Sequence, residues 1–231
     1  QANTLNLSNL GSTANINNNI ASLSVSGTVN GDMSLSNSGD IALTGNLISS
    51  TGYIILTSTG GALNFCGNSV QASSLTLSTP SNLGALGNAV STVADTLVLL
   101  NLGGAAYISN TSTDLSLSGT VNGDLGLTNS GNITMGGNII STTGDVNLTS
   151  TGITAVSGNS IQSDVLTISS TGAVGDLLGF PLEVQANTLN LSNLGSTANI
   201  NNNIASLSVS GTVNGDMSLS NSGDIALTGN L

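Results

Sequence analysis

Apolar residues in this chain come in pairs separated by one residue, most often small and polar. One series runs Leu5/Leu7, Leu23/Val25, Ile41/Leu43 and Leu63/Phe65, with first members 18, 18 and 22 residues apart. A second runs Met33/Leu35, Ile54/Leu56, Leu75/Leu77 and Leu97/Leu99, at steps of 21, 21 and 22. Alternation of this kind is the period of a half-buried strand, not of a helix. Between the pairs lie Asn-Gly, Ser-Gly, Gly-Asp, Thr-Gly and Gly-Asn dipeptides, which supply positive φ at tight corners. Strand, corner, strand, corner, with a loose period near twenty, describes the coils of a β-solenoid. The expected fold is all-β: a right-handed parallel β-helix with coils of about 18–22 residues.

Longer repeats sit on top of this rhythm. Residues 1–47 and 185–231 are identical, an offset of 185 − 1 = 184. Within that unit, Gly27-Thr28-Val29-Asn30-Gly31-Asp32 returns as Gly119-Thr120-Val121-Asn122-Gly123-Asp124, an offset of 119 − 27 = 92. The match slips to 91 at Asn68-Ser69-Val70-Gln71 against Asn159-Ser160-Ile161-Gln162 and returns to 92 by Thr96-Leu97 against Thr188-Leu189. The organisation expected is one continuous solenoid over 1–231, in modules 1–92, 93–184 and a partial 185–231, taken from a longer array. Coils of about 19 residues would give about twelve coils, roughly 55–60 Å long at the usual strand spacing.

Composition removes whole classes of partner. The chain has no Lys, Arg or His, eleven acids and a net charge of −11. Charged residues make up 5%, where soluble domains average about 25%. Nucleic acids and anionic membrane surfaces are bound through cations, so neither is an expected partner. A membrane-crossing helix needs about 18–20 continuous apolar residues, and the nearest candidate, 94–108, is broken by Asp95, Asn101 and a Gly pair. At 38% apolar with strict alternation the chain does not read as disordered. A surface without Lys or Arg offers no site to trypsin-like proteases, which suits exposure outside the cell.

Candidate chemistry is sparse. Nucleophilic triads require a base, and no His or Lys exists to serve. The acids are Asp32, Asp40, Asp95, Asp114, Asp124, Asp145, Asp164, Asp176, Glu183, Asp216 and Asp224. Asp32, Asp124 and Asp216 share one module position after Asn-Gly, where Asp is expected to bond nearby backbone at a corner; calcium there is the alternative. Cys66, the single cysteine, is expected half-buried beside Phe65, with an intermolecular cross-link as the alternative. Outward Ser, Thr and Asn dominate the surface. Asn17-Asn18-Asn19, repeated at 201–203, is read as an amide ladder from coil to coil, with the capping of a corner by one of the three as the alternative. The sequons at Asn6, Asn132 and Asn147 are of a kind frequent in any Asn/Ser/Thr-rich chain. No catalytic, cofactor-binding or metal residue is assigned, and no enzyme activity or cofactor is expected.

The phrases Ser38-Gly39-Asp40-Ile41-Ala42-Leu43-Thr44-Gly45-Asn46-Leu47-Ile48 and Thr142-Thr143-Gly144-Asp145-Val146-Asn147-Leu148-Thr149-Ser150-Thr151-Gly152 resemble the repeats of filamentous-haemagglutinin-like, two-partner-secretion exoproteins. That resemblance implies a secreted, rod-like β-helix on a bacterial surface, used in adhesion. The chain departs from the family in lacking every basic residue and in repeating so faithfully. The function expected is therefore a non-catalytic extracellular fibre or stalk; the alternative is an adhesin meeting glycans through its Ser/Thr/Asn faces. Expected partners are neighbouring repeats of the same chain, other rods by lateral association, and cell-surface glycans.

Overall fold

The computed structural model describes residues 1–231 except 177 and 230. Its twenty-three described strands pair into one continuous, parallel sheet wound as a right-handed β-solenoid of about 11 turns. A typical coil runs Ser22–Val29, turns at Asn30-Gly31-Asp32, returns as Met33–Asn37 and turns again at Ser38-Gly39. One side of the coil is bent at Gly27 and the other is straight. At the bend Gly27, Gly119 and Gly211 adopt φ of 126°, 142° and 141°. A Cβ on any of them would fall on the carbonyl of the preceding coil, at Leu7, Leu99 or Leu191. Only glycine satisfies both demands.

The apolar pairs point inward and stack. Met33, Ile54, Leu75 and Leu97 form one column and Leu35, Leu56, Leu77 and Leu99 the next, all fully buried. Leu23, Ile41 and Leu63 stack likewise. Leu5 is the exception: it pairs with Val25 rather than Leu23, a step of 20 instead of 18. An extra residue before Leu10, where Asn9 adopts φ 54°, bulges the first strand, so the pairing step is 20 through Leu7 and 19 at Leu10. Among the described residues the interior is mostly Leu, Ile and Val, with Met33, Met135 and a few alanines, and Phe65 is its one aromatic ring.

Average coil length falls within the 18–22 residues of the sequence rhythm but is a little more than the 19 used to count coils. Pairing steps range from 18, at Val90–Ile108, to 24, at Val174–Ala198. One column climbs Gly27, Leu47, Val70, Thr92, Asn110, Asn129 in five turns. It starts on a bent side and ends at Asn129, the counterpart of Asn37 on a straight side (37 + 92 = 129). A 92-residue module therefore holds four and a half turns, and bent and straight sides exchange places between modules. Four further turns, through Leu127, Leu148, Ile168 and Leu191, reach Gly211 on the side where Gly27 began. The 184-residue unit spans nine turns, 184/9 ≈ 20.4 residues each. The chain thus forms about 11 turns, not twelve, and about 53 Å of rod at 4.7–4.9 Å per turn.

Polar side chains that turn inward staple one coil to the last. Ser49, Ser58 and Ser141 each accept the N–H three residues on, from Gly52, Gly61 and Gly144, at 2.9–3.0 Å. Each donates at 2.8 Å to a glycine carbonyl one coil back, at Gly31, Gly39 and Gly123. This Ser-x-x-Gly unit closes a corner and leaves no buried donor unmatched.

Candidate functional site

The asparagine triplet does not form an outward ladder. Asn17 lies over Ser36, while Asn18 turns inward over Asn37. Inward asparagines grip the backbone at a corner: Asn110 Oδ1 accepts Ala94 N–H at 3.1 Å and its Nδ2 donates to Ala94 O at 3.0 Å. The same amide donates to Asn129 Oδ1 at 2.9 Å and accepts the Thr92 hydroxyl at 2.8 Å. Asn202 repeats the arrangement with Ala186 and Asn221. These amides hold coils together and face no solvent.

The recurring acids also act between coils rather than locally. Asp32 Oδ1 accepts Tyr53 N–H at 3.1 Å and Asp124 Oδ1 accepts Asp145 N–H at 3.0 Å, each 21 residues further on. Because a module is four and a half turns, Asp32 and Asp124 stand on opposite sides of the rod. No group of three or more His, Cys, Asp or Glu able to hold a metal occurs among the described residues. Asp124, Asp145 and Asp164 do stack on one corner in successive coils, each carboxylate serving the next coil: Asp145 N–H, Val165 N–H and the Asn187 amide respectively.

Cys66 is exposed, contrary to the half-buried setting expected for it. Phe65 takes the inward place, and Cys66 occupies the tip of a Phe65–Asn68 turn at φ 51°, followed by Gly67 at φ 79°. A backbone with two successive positive φ values carries the thiol outward.

The residue pairing does assemble one feature the sequence reading did not single out. Between Leu83 and Val90 the chain leaves the wall as a two-residue turn, Ala85 and Asn88 exchanging both backbone hydrogen bonds at 2.8 and 3.1 Å. Gly87, at φ 80°, allows it, and Leu86 is held out at the tip, 84% exposed. Beside this turn lies a cleft of about 480 Å³ floored by three successive coils. Its outward side chains form a grid: Tyr107, position 126 and Asn147 in one column, Ser109, Thr128 and Thr149 in the next. Position 126 is glycine, and a Cβ there would come within 2.7 Å of Tyr107 Cδ1, so the ring lies over the vacant place. The Tyr107 hydroxyl donates to Asp124 Oδ2 at 3.1 Å. Burial, that hydrogen bond and the charges of Asp124 and Asp145 hold the phenol above the ordinary tyrosine range.

Other modules lack this arrangement. At the positions of Tyr107 and Gly126 they carry Asn15 with Ser34, and Asn199 with Ser218. The loop does recur: after Val174 the chain again leaves the wall, with Leu178 100% and Phe180 57% exposed. By the half-turn offset that second loop projects from the opposite side. Signals for both were present, as Gly-Ala-Leu-Gly and Leu-Gly-Phe-Pro place apolar residues out of phase with the coil rhythm. Set against known protein families, characterised proteins and solved structures, the chain has no significant match.

Proposed function

We propose that this chain is a non-catalytic segment of an extracellular fibre or stalk, whose work is to span distance. The observation that carries the reading is the nine-turn closure of the 184-residue unit. An identical sequence returns to an identical side of the rod, so copies can be added without a change of direction or a misfit at the join. The low charge and the absence of Lys and Arg suit a surface exposed to external proteases. The likeness of the Gly-Asp-Ile-Ala-Leu-Thr-Gly phrase to filamentous-haemagglutinin-like exoproteins supports export and residence on a bacterial surface. Immunogold electron microscopy of intact producing cells, with antibody raised against this segment, tests the reading. Label along filaments outside the cell is expected; label confined to the cell interior overturns it.

A further inference from the structure

We propose that the Tyr107 cleft binds a neutral saccharide. Core packing accounts for neither the aromatic ring nor the glycine beneath it, since other modules fold with Asn and Ser at the paired positions. The glycine opens the floor and lets a ring lie along the wall, in a chain with only two tyrosines and two phenylalanines. Leu86, presented on a tight turn, supplies a second apolar surface on the facing side. Ser109, Thr128, Asn147 and Thr149 are exposed, and among the described residues their side chains make no hydrogen bond within the protein. Rows of them repeat at coil spacing, about 4.8 Å.

A ring and an apolar knob facing a lattice of free hydroxyls and an amide match the two surfaces of a sugar. Its C–H face packs on the aromatic, and its hydroxyls exchange hydrogen bonds with the polar column. The volume of about 480 Å³ falls in the range of small-ligand sites. Charge selects the class. With Asp124 bonded to the tyrosine, Asp145 behind it and no cation anywhere in the chain, sialylated, sulfated or uronic sugars are repelled. Phosphorylated ligands fail for the same reason.

Saturation-transfer NMR on the 231-residue chain tests this with maltotetraose, cellotetraose and chitotetraose as neutral probes and with 3′-sialyllactose and tetragalacturonate as anionic ones. At least one neutral probe is expected to bind saturably and to shift the Tyr107 ring resonances. Tyr107→Ala is expected to weaken that binding about tenfold or more, the loss of one aromatic contact. Gly126→Ser installs the residue that neighbouring modules already tolerate, so it should keep the fold by circular dichroism while displacing the ring and weakening binding. Absence of saturable binding by every neutral probe overturns the proposal. So does equal or tighter binding of an anionic probe, or binding that survives both substitutions.

Discussion

At the scale of single residues, stability here depends on polar groups that face inward. Asn110 serves both backbone groups of Ala94 and two further side chains. Asn110→Ala strands these in a dry corner, and a loss of about 3 kcal/mol is expected from chemical denaturation. Ser163 makes the opposite case: among the described residues its buried hydroxyl has no partner. Ser163→Ala is therefore expected to raise stability by about 1 kcal/mol in the same measurement. Tyr107 carries a pH dependence at the alkaline end. Its phenol is held above its unfolded value of about 10, so the contribution of its bond to Asp124 is present below that pH and lost as pH rises through the folded value. In a Tyr53→Phe background, absorbance titration should show one late-ionising phenol, and Asp124→Asn should bring its transition to lower pH. The inward leucines and isoleucines were legible from alternation alone. The roles of Asn18 and Cys66 were not, because one residue's turn inward or outward at a corner depends on φ values that a polar triplet or a lone thiol does not encode.

At the scale of the coil, the bend governs. Gly119, at φ 142° and pressed on the Leu99 carbonyl, has no room for a side chain. Gly119→Ala is expected to cost more than about 1 kcal/mol, while Gly11→Ala, with open space around its position, should be tolerated. Thermal melts of the two variants check the contrast. Strand, corner and period could be read from Met33/Leu35 through Leu97/Leu99, because each inward pair recurs with its corner dipeptide. What escaped was register. Leu5 and Leu23 look equivalent in sequence, yet Leu5 pairs with Val25 at a step of 20, and the step falls to 19 only beyond the bulge between Leu7 and Leu10. The cleft escaped for a related reason. Tyr107, Gly126, Asn147 and Thr149 lie up to 42 residues apart (149 − 107) and become neighbours only once the coil steps of 19 and 21 are known.

Over the whole molecule, the half-turn offset joins the three periods. A coil of about 20 residues, a module of 92 and a unit of 184 fit one rod because four and a half turns reverse its sides and nine restore them. The projecting loops after Leu83 and Val174 consequently alternate between sides, about 22 Å apart along the axis at 4.8 Å per turn. Repetition of the sequence is then repetition of length, with each copy adding the same increment in the same orientation. Small-angle X-ray scattering from chains carrying one, two and three 184-residue units tests this most directly. Nine turns at about 4.8 Å predict that the long dimension grows by about 43 Å per unit while the cross-section stays constant. A long dimension that fails to grow by that increment, or a cross-section that widens with each added unit, would contradict it.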